Sequence, residues 1–204
     1  MARSSVVLKQ DVTGVILAGG LGRRMSPDGS GINKAMVPFR GRPLIADVIE
    51  RLRPQVANLL INADPIGSNW QDFALPVVAD HIKQRPGPLA GIHAAMRVIQ
   101  TQWLVCVPCD VPLLPDDLVA RLVMAQATAD ADRVSVRCGS QAHPVIALLH
   151  SSLADELERY MLAGGRRIET WLSQGRWAQA RFDDDAAFVN LNTADDLRQL
   201  EGAS

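Results

Sequence analysis

A glycine-rich segment with several cationic side chains follows the first apolar run of the sequence. It reads LAGGLGRRM over residues 17–25, and Lys34 lies nine residues beyond it. Glycines directly after a buried strand let the backbone approach a ligand closely and direct N–H groups toward it. Two guanidinium groups and one ammonium group in the same loop favour a polyanionic ligand, most simply a chain of phosphates. The residue types alone also allow a solvated surface loop whose arginines aid solubility.

Two standard phosphate-binding motifs are excluded by the residues of this loop. A P-loop needs Gly-Lys-Ser/Thr, but Lys34 is flanked by Asn33 and Ala35. A dinucleotide-binding fingerprint needs a third glycine three residues after Gly22, where Met25 stands. The sequence therefore disfavours P-loop nucleotidases and enzymes that transfer hydride from a bound dinucleotide.

Polar side chains follow three further apolar runs. Asp110 comes after the run 103–107 and the rigid Pro108, while Asn62 and Asp80 stand at the ends of the second and third runs. A carboxylate at the edge of a sheet suits Mg²⁺, which takes one or two carboxylates plus substrate phosphates. Amide and carboxylate oxygens accept hydrogen bonds from N–H donors of a ligand. Each of these residues also suits a plain turn, and Asp110 could simply cap the turn into Pro112.

Apolar runs alternate with amphipathic segments through the first half of the chain, which predicts a parallel sheet with crossover helices. Residues 19–42 are expected to form a long functional loop. The expected strands are 12–18, 56–63, 76–79, 103–107, 133–138, 144–149, 177–182 and 187–190. Helices are expected from Pro43 to Pro54, over 89–100, from Pro115 to 128, over 151–162 and 166–174, and after a Thr193 cap. A single α/β domain over residues 1–204 follows, with three layers and a mostly parallel central sheet covered by helices on both faces.

Composition excludes several other classes of protein. The chain has 204 residues, of which 48% are hydrophobic, and its 21 Lys and Arg nearly balance 22 Asp and Glu. This balance argues against a nucleic-acid coat and against electrostatic membrane anchoring. Three cysteines are too few for a disulfide framework, so we expect a cytoplasmic protein. The Cys106-x-x-Cys109 spacing lacks the second pair that zinc needs, and Cys106 lies inside a strand.

The combination of these segments resembles the molybdenum cofactor guanylyltransferases, a MobA-like family of nucleotidyltransferases. Besides LAGGxxxRM and the lysine, the resemblance is carried by INA at 61–63, the Asp80 region, PGPLAG at 86–91, PCD at 108–110, His143-Pro144 and FVNLNT at 188–193. The glycine-rich loop alone is shared with sugar and isoprenoid nucleotidyltransferases, whereas its combination with the later motifs is more specific. The link SPDGSGIN before Lys34 is longer than in the family, and Asn33 stands where the family usually has Asp.

The resemblance implies a Rossmann-like nucleotidyltransferase fold and a reaction. The enzyme would transfer GMP from GTP to the terminal phosphate of molybdopterin, with or without molybdenum, and release pyrophosphate. Arg24, Lys34 and Asp110 would be catalytic, with Asp110 holding Mg²⁺ or, as an alternative, Mn²⁺. The implied GTP contacts are Leu17, Ala18, Gly19, Gly20, Lys34, Asn62, Asp80, Gly87 and Asp110. The implied contacts on the pterin side are Asn190 and Asn192, which would share one face of a strand, and Arg166 and Arg167.

Other functions remain open at this point. The same fold could serve a cytidylyltransferase or a sugar-phosphate nucleotidyltransferase, and a non-catalytic nucleotide-binding carrier of the cofactor is an alternative from another class. The expected partners are GTP, molybdopterin or the molybdenum cofactor, and proteins that deliver the cofactor or act as chaperones of molybdoenzymes. The N-terminal half is expected to bind the nucleotide and the C-terminal half the pterin cofactor.

Overall fold

The structure, a computed structural model, describes residues 7–19, 21–22, 32–66, 68–82 and 87–202. These residues are built around a central β-sheet. The strands are β1 (Val12–Leu17), β2 (Leu21–Gly22), β3 (Ile32–Asn33), β4 (Pro38–Phe39), β5 (Arg42–Pro43), β6 (Asn58–Asn62), β7 (Val77–Val78), β8 (Trp103–Pro108), β9 (Arg133–Cys138), β10 (Gln141–His150) and β11 (Trp177–Phe182). The helices are α1 (Leu44–Leu52), α2 (Pro88–Val98), α3 (Leu118–Ala129), α4 (Ala154–Leu162), α5 (Ile168–Leu172) and α6 (Ala194–Gly202).

Seven of these strands form the central sheet, in the order β11-β9-β10-β8-β1-β6-β7. Strand β10 runs antiparallel to both of its neighbours, and every other pair in this sheet is parallel. The prediction of a mostly parallel sheet is confirmed. The expected pairing of 133–138 with the next strand is confirmed too, although β10 begins earlier than predicted and has a register shift between His143 and Ala147.

Helices cover both faces of this sheet. On one face, α1 and α3 pack against the buried side chains that β1 and β8 direct toward them. Ile45 and Leu118, for example, lie in one cluster with Ile16 and Val107. On the other face, α2, α4 and α5 pack against the alternate side chains of the same strands. This three-layer arrangement is the one the sequence predicts, since β1 and β8 carry apolar side chains on both faces. None of the described helices is long and apolar enough to cross a membrane.

A third, smaller cluster attaches the C-terminal helix. Leu197 of α6 and Leu191 before it pack against Leu44 at the start of α1 and Phe39 of the β4–β5 hairpin. The contact brings the segment 190–193 to the side of the sheet where α1 begins. It therefore joins the last part of the chain to residues that follow the glycine-rich loop.

Two sequence predictions differ from the structure. The described part of the expected 19–42 loop contains β2 paired with β3, β4 paired with β5, and a 3-10 helix over Lys34–Met36. The expected strand 187–190 is wrong, because a 3-10 helix covers Asp185–Phe188. The Asp184 side chain accepts a hydrogen bond from the Ala186 N–H and so starts a helical turn.

The order of the strands creates a crevice at one edge of the sheet. From β1 the chain crosses through α1 to β6 on one side, and only later enters β8 on the other side of β1. Ligands of open α/β sheets bind outside the carboxyl ends of strands at such a switch point. Leu17 at the end of β1 is in register with Asn62 of β6 and with Pro108 of β8. The residues that follow these three positions therefore meet at one level.

Candidate active site

The end of β1 is held between its two neighbours by backbone hydrogen bonds. The Ala18 N–H donates to the Asn62 carbonyl at 2.8 Å, and the Cys109 N–H donates to the Leu17 carbonyl at 3.1 Å. Ala18 is buried and Gly19 is exposed, so the chain emerges into the crevice at Gly19. The predicted site residues Gly20 and Arg24 lie outside the described residues.

Lys34 brings a cation to this crevice. It is the first residue of the 3-10 helix Lys34–Met36, and its Nζ donates to Asp110 Oδ2 at 2.5 Å and to Asn192 Oδ1 at 2.6 Å. The side chains of Lys34 and Asp110 are only 13% and 14% exposed. Two predicted catalytic residues and one predicted pterin-side residue therefore form a single contact cluster.

Asp110 keeps one oxygen without a protein partner. Its Oδ2 accepts from Lys34, whereas its Oδ1 is buried with no hydrogen-bond partner among the described residues. The Asp110 carbonyl accepts from the Leu191 N–H at 2.9 Å, which ties the end of β8 to the segment before α6. A buried carboxylate oxygen with free lone pairs is the type of donor that a hard divalent cation takes. The residues present therefore fit a divalent metal.

The described residues do not form a complete metal cage by themselves. They contain no group of three His, Cys, Asp or Glu side chains that could hold an ion. A Mg²⁺ site that uses one carboxylate, substrate phosphates and water needs no such group. The lone free oxygen of Asp110 is thus compatible with a metal that arrives together with a phosphate ligand.

The segment before α6 is fixed by a reciprocal cap. Thr193 Oγ1 accepts from the Asp196 N–H at 3.1 Å, and Asp196 Oδ2 accepts from the N–H groups of Asn192 and Thr193, both at 2.8 Å. These bonds to backbone N–H groups lower the pKa of Asp196. The predicted Thr193 cap is confirmed, and it fixes the backbone from which Asn192 reaches Lys34.

The expected strand geometry of the two asparagines is wrong. Residues 189–193, all within the described part, hold no strand. Asn190 is exposed, and its carbonyl accepts from Asn192 Nδ2 at 3.5 Å. The cap on α6 holds this segment outside any strand, so the prediction that the two side chains share one strand face fails, and Asn192 is the one that contacts Lys34.

Asn62 and Asp80 meet at the ends of β6 and β7. Asn62 Nδ2 donates to Asp80 Oδ1 at 2.9 Å and to the Val78 carbonyl at 3.1 Å. With both amide hydrogens committed, the orientation of this 4% exposed side chain is fixed. The two residues that the resemblance implies as guanine contacts thus contact each other directly in the structure.

Gly91 makes room for the Asn62 side chain, and sequence reasoning missed this. A Cβ atom added at Gly91 would lie 2.0 Å from Asn62 Oδ1, so any larger residue would force the amide to move. Gly91 stands in the PGPLAG motif, but its spacing gives no sign that its partner is Asn62. Gly87, at the start of the same motif, has a φ of +135°, a conformation that favours glycine, and directly precedes α2.

Arg166 and Arg167 are not part of the Lys34 cluster. Both side chains are exposed before α5, and within the described residues neither pairs with Lys34, Asp110 or Asn192. The Arg167 carbonyl accepts from the Tyr160 hydroxyl at 2.9 Å, which fixes the backbone there. Their guanidinium groups thus remain open to solvent.

The cysteines have no chemical role in this arrangement. All three are free and buried, and burial raises the pKa of both Cys106 and Cys109 to about 12. A thiol with such a pKa stays protonated and poorly nucleophilic at neutral pH. Cys106 and Cys109 are therefore poor candidates for thiolate chemistry or for metal binding.

Comparison with known proteins identifies similar sequences along almost the whole chain. A sequence model described as "MobA-like NTP transferase domain" matches residues 14–180. A molybdenum cofactor guanylyltransferase of Cupriavidus necator is 42% identical over 201 residues, covering 96% of this chain and 99% of that protein. A protein of the same name from a Shewanella species is 40% identical over 190 residues, covering 93% and 94%.

Solved structures share the fold. A molybdopterin-guanine dinucleotide biosynthesis protein A from Archaeoglobus fulgidus has a TM-score of 0.71 at 26% identity, covering 94% of this chain and 97% of that one. A CMP:2-keto-3-deoxy-manno-octonic acid synthetase solved with CTP also has a TM-score of 0.71, but at 11% identity that likeness concerns the fold alone. The predicted nucleotidyltransferase fold is confirmed.

Proposed function

This chain belongs to the MobA-like NTP transferase family, and we propose that it transfers the GMP unit of GTP to the terminal phosphate of molybdopterin, with or without bound molybdenum. The products are a molybdopterin guanine dinucleotide and pyrophosphate. One observation carries the proposal beyond the family relationship. The Lys34 ammonium meets Asp110 and Asn192 in the crevice between the ends of β1 and β8.

The reaction needs no general base from the protein. A phosphate monoester has a second pKa of about 6, so the acceptor phosphate is largely ionised at pH 7. Its oxygen forms a bond to the α-phosphorus of GTP, and the bond from that phosphorus to the bridging oxygen of the β-phosphate breaks. The electron pair leaves with pyrophosphate. The described site accordingly contains a cation and hydrogen-bonding groups rather than a nucleophile beside a base.

Repulsion between the two anions is the obstacle that the protein must offset. One pair of unit charges about 4 Å apart costs about 4 kcal/mol at an effective dielectric constant of about 20. Lys34 supplies a largely buried ammonium group at the crevice, and we assign it to the triphosphate. Arg24 has the same assigned role, from a segment outside the described residues.

Asp110 is the residue that we assign to the metal. Its buried Oδ1 has no partner among the described residues, and we propose Mg²⁺, with Mn²⁺ as the alternative. When bound, a divalent ion supplies neutralisation of phosphate charge and helps to orient the triphosphate. Asp110 Oδ1 would hold the ion, while Lys34 Nζ donates to Oδ2 of the same carboxylate.

Asn62 and Asp80 are the residues that we assign to the guanine edge. Guanine offers two donors, N1–H and the exocyclic amine, and both residues carry oxygens that accept. Because Asn62 Nδ2 is committed to Val78 and Asp80, the amide oxygen is left as its free acceptor. The backbone of Leu17, Ala18 and Gly19, together with Gly20 and Gly87, is assigned to the base, ribose and phosphates.

The C-terminal half is assigned to the pterin cofactor. Asn192 supports this assignment, because it joins the C-terminal segment to Lys34 at the point where the two substrates must meet. Asn190 lies beside it, and the exposed Arg166 and Arg167 are assigned to the incoming phosphate. Residues 1–204 would then act as one nucleotidyltransferase domain. Buried free thiols suit a reducing compartment, so we place the reaction in the cytoplasm, where proteins that deliver the cofactor or chaperone molybdoenzymes would be partners.

Release of pyrophosphate is the test of this function. The chain is mixed with molybdopterin, Mg²⁺ and either GTP, ATP or CTP, and pyrophosphate is measured over time. We expect release with GTP and much slower release with ATP or CTP. A site built on hydrogen bonds can reject the wrong base by about 10⁴-fold. Faster release with CTP would indicate a cytidylyltransferase. Release only with a sugar phosphate as acceptor would indicate that reaction instead, and GTP binding without release would indicate a carrier.

A further inference from the structure

We propose that Asn33 and Ser68 form a positioning pair that fixes the backbone of Lys34 and so directs its ammonium group into the crevice. This inference rests on the proposed role of Lys34 in binding the triphosphate. Asn33 stands where the family that the sequence resembles usually has aspartate. Neither Asn33 nor Ser68 is proposed to touch a substrate.

Asn33 caps the short helix that begins with Lys34. Asn33 Oδ1 accepts from the Ala35 N–H at 3.1 Å, so the bond spans Lys34 itself. A side-chain oxygen that accepts from one of the first N–H groups of a helix fixes the backbone at its start. The direction in which the Lys34 side chain leaves the backbone is therefore set by its neighbour.

The other end of the Asn33 amide reaches a distant loop. Asn33 Nδ2 donates to Ser68 Oγ at 3.0 Å, across 35 positions of the chain. Ser68 lies between β6 and β7, in the loop that follows Asn62. This loop is anchored beside Ser68 by Trp70, which is 3% exposed and whose Nε1 donates to the Asp64 carbonyl at 2.9 Å. Asn33 thus attaches the start of the Lys34 helix to the anchored part of the loop between β6 and β7.

The chemistry of the pair explains which residues can stand at position 33. Asparagine has both an acceptor for Ala35 and a donor for Ser68. Aspartate would also accept from the Ala35 N–H and could accept from the Ser68 hydroxyl, so it can retain both contacts. Alanine would lose both. A lysine on a flexible four-carbon stem depends on its backbone for direction, and the loss would lower the fraction of molecules with Nζ between Asp110 and Asn192.

The test compares variants in GTP binding by calorimetry with Mg²⁺, in pyrophosphate release, and in melting temperature. We expect Asn33→Ala to weaken GTP binding and lower kcat/KM by about tenfold each, while the melting temperature falls by only a few degrees, as the loss of one helix cap predicts. Asn33→Asp should remain near wild type, and Ser68→Ala should fall between the two. Asp11→Ala is the matched control, because it removes the hydrogen bond that Asp11 Oδ2 accepts from the Leu8 N–H, on a 3-10 helix at the other end of β1.

A double-mutant comparison separates positioning from general structure. If Asn33 acts through Lys34, adding Asn33→Ala to Lys34→Ala should cause no further loss of GTP affinity or turnover. Equal losses in both backgrounds, a large drop in melting temperature, or no effect of Asn33→Ala at all would overturn the inference. A wild-type chain that binds no GTP would instead overturn the proposed function, so the two failures are distinguishable.

Discussion

Lys34, Asp110 and Asn192 lie far apart in the sequence, yet their side chains meet within hydrogen-bonding distance. The two contacts of Lys34 cross 76 and 158 positions of the chain. Asp110 is held to the same segment as Asn192 through the Leu191 N–H. A cation with two fixed acceptors loses little freedom when a phosphate replaces one of them. This preorganisation is what electrostatic catalysis of phosphoryl transfer requires.

Replacing Lys34 by alanine should lower turnover strongly and leave the fold intact. Loss of one preorganised group that stabilises developing charge costs about 10²- to 10³-fold in rate. The measurement is kcat/KM for pyrophosphate release, with circular dichroism as the check on folding. Lys9→Ala is the matched control, since Lys9 is exposed at the other end of β1. Near-normal turnover of the Lys34 variant would show that another residue carries the charge.

The three cysteines should resist alkylation in the folded protein. Burial raises the pKa of Cys106 and Cys109 to about 12. The pKa of Cys138 is raised to about 11, mainly by burial and also by the nearby Asp185 carboxylate. Mass spectrometry after brief treatment with iodoacetamide at pH 8 should find no label on the native chain and three labels after unfolding in urea. Rapid labelling of native Cys106 or Cys109 would contradict the assignment of these thiols as inert.

The roles of single residues could be predicted only where the chemistry lies next to an element that positions it. Lys34 and Asp110 were predictable: Lys34 follows the glycine-rich loop after β1, Asp110 follows β8, and the ends of these parallel strands lie at the same edge of the sheet. The contacts of Asn33 with Ser68 and of Gly91 with Asn62 were not, because each joins residues whose proximity depends on the finished fold. Sequence spacing carries no signal for such pairs.

At the level of the elements, α2 and β6 are in contact through a residue without a side chain. The start of α2 crosses the end of β6 so closely that Gly91 lies against the Asn62 amide. This packing leaves room for the amide and so helps to fix where its oxygen lies at the proposed base subsite. The helix thus acts on base recognition through its packing and not through a side chain of its own.

Gly91→Ala should disturb both stability and GTP binding. The added methyl group overlaps Asn62 Oδ1 at 2.0 Å, and such overpacking typically costs about 1–3 kcal/mol. We expect a lower urea midpoint and weaker GTP binding by calorimetry. In an Asn62→Ala background the clash with the amide is removed and only a tight 3.0 Å contact with Leu17 Cδ2 remains, so Gly91→Ala should cost less stability there. A destabilisation of equal size in both backgrounds would contradict this account.

The apolar strands and the alternation of elements were predictable, whereas the last expected strand was not. Residues 187–190 contain a buried Phe188 that suits a strand, but Asp184 caps a helical turn and Phe188 packs its ring against Phe182 at 5.0 Å. Local capping chemistry therefore overrides the short apolar run. The bulge in β10 was also missed, since an irregular pairing depends on the partner strand.

On the scale of the whole molecule, folding buries His93 and half-buries two further histidines in environments that disfavour their charged form. Burial is the main cause that lowers the pKa of His93, His143 and His150. His93 is 3% exposed, its Nδ1 has no partner among the described residues, and its Nε2 accepts from Arg97 Nε at 3.2 Å. The nearby Glu158 and Asp155 offset part of the penalty for a charged imidazole, while Arg97 and His81 add to it.

Stability should therefore fall as the pH is lowered from 7 to 5. A histidine with a folded pKa below its unfolded value of about 6.5 takes up its proton first in the unfolded chain, so acid favours unfolding. Each such residue contributes at most about 2 kcal/mol at pH 5. Urea titrations should show the loss, and His93→Gln should reduce it, whereas the exposed His81→Gln should have a much smaller effect. A stability that rises toward pH 5 would contradict the assignment.

The position of bound GTP tests the central claim most directly. The claim is that the triphosphate is held between the end of β1 and Asp110, where Lys34 supplies charge, with the guanine edge at Asn62 and Asp80. A crystal structure with GTP and Mg²⁺ should place phosphate oxygens within hydrogen-bonding distance of Lys34 Nζ, the metal on Asp110, and the N1–H of guanine toward Asn62 or Asp80. A nucleotide bound away from Gly19, Lys34 and Asp110 would contradict the account.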